Sequence, residues 1–224
     1  MNSEIFADPV LARWGAWPVT RTMVTSFAVS AVLMALCALM ARAVVQKPDG
    51  KLAALGRLTF RFLHDLIEEA AGESSLSLEA FAGTLFLFIA ATTVAGQLPG
   101  VVAPTSNLAV ASALAVLVLV ATPLAGIRAL GLAGYLKHYF QPNPLLFPLH
   151  VISELSRTLA LALRLFGNMM SGHLVVALIV ALVGVLLPVP LMALDLLIGL
   201  LQAYIFTILA CVYLGAAVRV HEEA

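Results

Sequence analysis

Between Ala80 and Ile127 the chain carries no charged side chain. One crossing of a bilayer takes about 20 apolar residues, so this run is long enough for two. GQLPG and the following APTSN supply turn residues that divide it. Hydrocarbon offers no partner for backbone N–H and C=O groups, so such segments must satisfy their own, as helices do. The composition agrees: 62% hydrophobic and only 11% charged residues, with a mean hydropathy of +1.05, lie outside the range of soluble globular chains. The fold class expected is an all-α, polytopic membrane protein forming a single membrane domain over residues 1–224. Zero formal net charge gives no indication of nucleic-acid binding. Cys37 and Cys211 both fall inside apolar runs and read as small hydrophobes rather than a disulfide or metal pair.

Five spans are expected, over about 22–44, 77–97, 107–128, 148–187 and 190–218, the last two flanking a break at Pro188 and Pro190. The first is too long for the about 7–15-residue core of a signal peptide and reads as a retained helix, although ALMARA at its end resembles a cleavage site. Arg42, Lys47, Lys51, Arg57 and Arg61 gather between spans one and two, Arg128 and Lys137 between three and four, and Arg219 after five. The loops around Gln97–Asn107 and Pro188–Pro190 hold no Lys or Arg. The positive-inside rule then puts the N-terminus outside and the C-terminus in the cytoplasm, with Arg13 and Arg21 counting against it. Residues 52–69 mix Arg57, Arg61, His64, Asp65, Glu68 and Glu69 with Leu58, Phe60, Phe62, Leu63 and Ile67. That is the pattern of a helix lying at the cytoplasmic interface.

The fourth segment holds an arginine, Arg164, where nearly every neighbour suits lipid. A guanidinium there costs roughly 2.5–3.5 kcal/mol on insertion scales and cannot shed its proton. A fixed intramembrane cation points to a protein that handles protons or ions. A helix over 148–187 would reach roughly 60 Å, about twice the hydrocarbon thickness, and so must tilt, bend or extend into water; the last two spans form a long tilted hairpin. Helical spacing puts Arg157, Arg164, Asn168 and Ser171 on one stripe and His173 on nearly the opposite face. Near the cytoplasmic start, Glu154 is in reach of both His150 and Arg157, and an ordinary ion pair is the plainer reading there.

The fifth span carries Asp195 and Gln202, seven apart and on one face. An aspartate in a span is about as costly as the arginine. Asp195 and His173 fall in the outer half of neighbouring antiparallel helices, where an imidazole and a carboxylate could relay protons. A structural pair locking the hairpin is the alternative, and Gln202 equally suits an interhelical hydrogen bond.

The stretch SRTLALALRLFGNMMSGHLVVALI, with LLQAYIFTILACVYLGAA after it, closely resembles subunit a of the F-type ATP synthase, and PTSNLAVASALAV matches more weakly upstream. The resemblance implies that Arg164, from RLFGN, is the essential stator charge. It gives His173 a position where many relatives have Glu, and Asp195 one where some have His; Asn168 and Gln202 match their family positions. PTSNLA replaces the PTADLN of many relatives, so no acidic residue comes from it, and the short N-terminus fits a compact bacterial subtype called N-type.

The implied mechanism is ion translocation without cofactor or metal. Ions enter an outer half-channel lined by His173 and Asp195 and leave by a cytoplasmic one for which Glu154, Ser153 and His150 are candidates, with Arg164 between. The implied partners are the c-ring of the rotor, peripheral-stalk b subunits, the soluble F1 ATPase sector and the lipid of a bacterial plasma membrane. The subunit itself is non-catalytic. A His–Asp relay favours H⁺, with Na⁺ as the other possibility. A stand-alone secondary transporter is a rival reading, but it predicts paired repeats, and no internal duplication is visible. A structural assembly subunit would explain the hairpin but not Arg164 and Asp195. No HExxH or GxSxG motif supports an intramembrane hydrolase.

Overall fold

The computed structural model describes residues 10–14, 17–46, 49–72, 75–98, 101, 103–140, 147–184 and 188–219. Lys47, Pro99, Gly100 and Leu187, each used in the sequence reading, lie outside the described residues. The described chain begins with an antiparallel hairpin of β1 (Val10–Trp14) and β2 (Trp17–Thr20), with Trp14 paired to Trp17. The all-α expectation did not include this hairpin; its Val, Trp and Thr content suits extended backbone. Six helices follow: α1 (Arg21–Gln46), α2 (Lys51–Ala71), α3 (Leu76–Gly96), α4 (Leu108–Phe140), α5 (Phe147–Val183) and α6 (Pro188–Arg219). Five of these, all but α2, are long and apolar enough to cross a membrane, and the chain is a multi-pass membrane protein.

The exception, α2, covers the segment expected to lie at the interface. In α2 the residues Ala53, Leu63, Leu66, Ile67 and Ala71 are buried, while Leu55, Leu58, Phe60 and Phe62 are exposed among the charged positions. The helix ends on Gly72, whose φ of 71° is a left-handed cap that glycine adopts without a Cβ penalty; its N–H bonds Glu68 O. Ser75 then caps α3 through Leu78 N (3.3 Å), and Glu79 in the first turn of α3 lies 2.8 Å from His64 Nδ1. The hydrogen bond to Glu79 holds the His64 pKa above the ordinary histidine value, against some desolvation.

The end of α5 and the start of α6 differ from the sequence reading. Pro188 and Pro190 do not form the hairpin break but open α6, since proline at a helix start gives up N–H groups that would be unpaired anyway. The break falls earlier, after α5, where Gly184 takes φ 89°. The span expected over 107–128 is matched by Leu108–Arg128, beyond which α4 continues to Phe140 across a kink at Gly131 (φ 72°, ψ 162°), a conformation that demands glycine.

The core lies where α3, α4, α5 and α6 meet, on Leu85, Ile89, Val118, Leu161, Leu165, Met169 and Phe206 with Ala111, Ala115, Ala203 and Ala210 between them. Small residues at these crossings let the backbones approach, the usual way helices associate where lipid is as apolar as leucine. Of α1 only Thr22 is buried, so this helix lies at the edge of the helix group.

Candidate ion-translocation site

Helix α5 sorts its residues by face. Leu161, Ala162, Leu165 and Met169 are buried, whereas Arg157, Ala160, Arg164, Gly167 and Ser171 are exposed along the opposite stripe. Arg164 therefore points away from the other helices, and among the described residues no carboxylate forms an ion pair with it. Gly167, one turn on, adds to this openness, since a Cβ there would meet nothing within 4 Å. A cation on a bare apolar flank, beside a glycine, fits a surface that receives a partner's charge.

One turn from Arg164, the amide of Asn168 donates to Gln202 Oε1 at 2.8 Å and ties α5 to α6. Gln202 is only 1% exposed, and its Nε2 has no partner among the described residues. The sequence expectation of an interhelical bond for Gln202 is thus met, with Asn168 as its partner.

Towards the uncharged loops, Asp195, His173, Gly172, Gly96 and Gln97 come together from α6, α5 and the end of α3. Asp195 and His173 do not bond each other. Gln97 Nε2 donates to Asp195 Oδ2 at 2.9 Å, while Oδ1 lies over Gly172, where an added Cβ would overlap it. His173 Nδ1 sits 2.7 Å from Met169 O, four residues back. A carbonyl only accepts, so Nδ1 carries the hydrogen, leaving Nε2 as the nitrogen that exchanges a proton. Nε2 is buried without a partner among the described residues, and it would lie 3.1 Å from a Cβ at Gly96.

Thr92, Thr93 and Thr105 are also buried, Thr93 bonding Ile89 O at 2.8 Å and Thr92 lying 3.5 Å from Thr105. Of the PTSNLA segment, Asn107 caps α4 through Ala109 N (2.9 Å), so the position used by an acid in PTADLN serves here as a helix cap.

At the opposite end of α5, His150 and Ser153 are exposed and Glu154 is partly buried. Arg157 lies over the Tyr213 ring at 5.4 Å, joining the start of α5 to the end of α6 by a cation–π contact. Arg164 separates this end from the other: at 1.5 Å per residue it stands about 15 Å along the helix from Glu154 and about 14 Å from His173.

Spacing alone did not single out Gln97 or Gly172 for the site. In the sequence Gln97 reads only as part of a turn. The available signal was an amide at the mouth of an otherwise uncharged run, on the same side of the membrane as Asp195.

Residues 23–215 match the ATP synthase A chain family. A protein named ATP synthase subunit a 2 from Bradyrhizobium sp. is 39% identical over 218 residues, 97% of each chain. ATP synthase subunit a of Legionella pneumophila is 37% identical over 224 residues, 99% of this chain and 96% of that one. ATP synthase subunit a 2 of Picosynechococcus sp. is 51% identical over 144 residues, 64% of this chain and 62% of that one.

Proposed function

The chain belongs to the ATP synthase A chain family, and on that premise we propose that it passes ions through two half-channels meeting the rotor on either side of Arg164. The observation that carries this reading is the exposed Arg164 on α5, with polar groups gathered at both ends of the same helix. Ions reach a rotor carboxylate from the outer group, His173 and Asp195, and leave it by the inner one, Glu154, Ser153 and His150. The guanidinium favours the ionised form of the arriving carboxylate and so expels its ion. It also blocks direct passage, because a fixed positive charge repels a cation in a low-dielectric gap. The pair must also break at each step. At an effective dielectric near 20, a 4 Å contact is worth about 4 kcal/mol, comparable to the roughly 2.3 kcal/mol per charge that 100 mV supplies.

In this reading the c-ring lies along the exposed stripe of α5, with b subunits and the F1 sector completing the complex. H⁺ is the coupling ion, since the outer group offers an imidazole and a carboxylate. Purified through a tag on this chain, the complex should bring down a ring of small hairpin subunits and a soluble ATPase. Recovery of the chain alone as a competent transporter would sink the proposal in favour of a secondary carrier.

Orientation follows from the cations at the end of α1, on α2, towards the end of α4 and at the end of α6. Single cysteines at Lys51 and Lys137 are expected to label only from the cytoplasm, and one at Ser106 only from outside. Labelling of all three from one side contradicts the proposed topology.

A further inference from the structure

The end of α3 touches both titratable residues of the outer group. Gly96 faces His173, and it fits only because residue 96 lacks a side chain: a Cβ there would stand 2.7 Å from Ala103 Cβ and 3.1 Å from His173 Nε2. The next residue, Gln97, faces Asp195 and donates to Oδ2 at 2.9 Å. Its backbone is fixed as the cap of α3, with φ −78°, ψ −12° and its N–H bonded to Val94 and Ala95 carbonyls. Asp195 is confined from the other side by the α5 backbone at Gly172. The carboxylate is thereby gripped between an amide and a glycine surface, and the imidazole is tied separately to Met169 O.

Resting on the half-channel reading above, we propose that Gln97 is the positioning residue for Asp195, a non-titrating donor that orients the carboxylate for ion transfer and keeps it from closing onto His173. An amide suits this task. It donates through Nε2 and accepts through Oε1 whatever the pH, so it can hold Asp195 in either protonation state without competing for the proton. Left without that donor, a carboxylate beside an imidazole in a poorly hydrated site would pair with it directly, and the tight pair would hold the ion instead of passing it on. Positioning effects of this kind are large, because a displacement of about 1 Å costs on the order of 10²-fold in rate.

The test separates donor from shape. Gln97→Met keeps the length and volume but not the hydrogen bond, Gln97→Asn keeps the amide but withdraws it by one methylene, and Gln97→His keeps an N–H at similar reach. ATP-driven ion pumping in inverted vesicles is expected to fall about tenfold or more in the Met and Asn variants. The His variant should recover a large part, at equal recovery of the assembled complex. Pumping by Gln97→Met at the wild-type rate overturns the proposal, as does a His variant worse than Met. Failure of all three variants to assemble also overturns it, since the role would then be structural. Asp195→Asn, measured alongside, keeps the two readings apart. If it pumps normally, the half-channel assignment of Asp195 fails and Gln97 falls with it. If it is defective while Gln97→Met is not, only the proposal for Gln97 falls.

Discussion

Replacement of Arg164 by Ala or Gln is expected to abolish ion-coupled ATP synthesis, a loss of at least about 10²-fold, the order seen when one charge-stabilising group is removed, while the complex assembles normally. The structure separates these two outcomes. Arg164 is exposed, and the buried anchors of its helix are Leu161, Leu165 and Met169. Substitutions at exposed positions away from caps and ion pairs usually change stability by no more than about 0.5 kcal/mol. What disappears is the fixed charge, and with it both the release of ion from the arriving carboxylate and the barrier between half-channels. Arg164→Lys is expected not to rescue, because an ammonium is more strongly hydrated, lacks the planar fork and can lose its proton in a dry site. Coupled synthesis at the wild-type rate in Arg164→Ala membranes, with subunits recovered in normal ratio, would refute the stator role.

The outer group supplies the second large effect. His173→Ala or Asp195→Ala alone should slow ATP-driven proton pumping by about 10²-fold or more, the range for loss of a proton-transfer group. Their tethers explain why both matter. His173 offers only Nε2 for exchange, since Nδ1 is committed to Met169 O, and Asp195 is held by Gln97 above the Gly172 surface. The double exchange His173→Glu with Asp195→His keeps one imidazole and one carboxylate and is expected to recover a substantial part of the rate. A double variant no better than the worse single one would mean the two do not act as a unit. Full activity in both alanine variants would remove the outer group from the mechanism.

Much of this arrangement is readable from the chain, and the parts that are not share a physical cause. The spans follow from apolar runs about as long as the bilayer is thick, and the amphipathic α2 from charges interleaved with large apolar residues. The stripe expected to hold Arg157, Arg164, Asn168 and Ser171 follows from helical periodicity, which fixes the direction of side chains within one helix; Arg157, Arg164 and Ser171 are exposed along it, while Asn168 turns to Gln202 on α6. Relations between helices are another matter. Periodicity places His173 and Asp195 in neighbouring outer halves but does not show that the end of α3 touches both, because that depends on how closely α3, α5 and α6 approach. The close approach rests on Gly96, Gly172 and Gly199, the last lying against Thr93 and Met169. A glycine in an apolar run looks the same in sequence whether it is a bend, a gap or a docking surface. The prolines misled for a related reason: Pro188 and Pro190 read as a break, yet their fixed φ and missing donors fit the first turn of α6.

The most direct test of the account is whether the face bearing Arg164 touches the rotor. Gly167 is one turn from Arg164, exposed, and open to an added Cβ, so a cysteine there disturbs little. With Cys37 and Cys211 replaced, Gly167→Cys can be paired with a cysteine beside the rotor carboxylate and oxidised in intact membranes. A disulfide joining the two subunits and stopping ATP-driven pumping, reversed by reductant and absent for a cysteine at buried Met169, is the result predicted. No cross-link from residue 167, or one formed equally from residue 169, would contradict it.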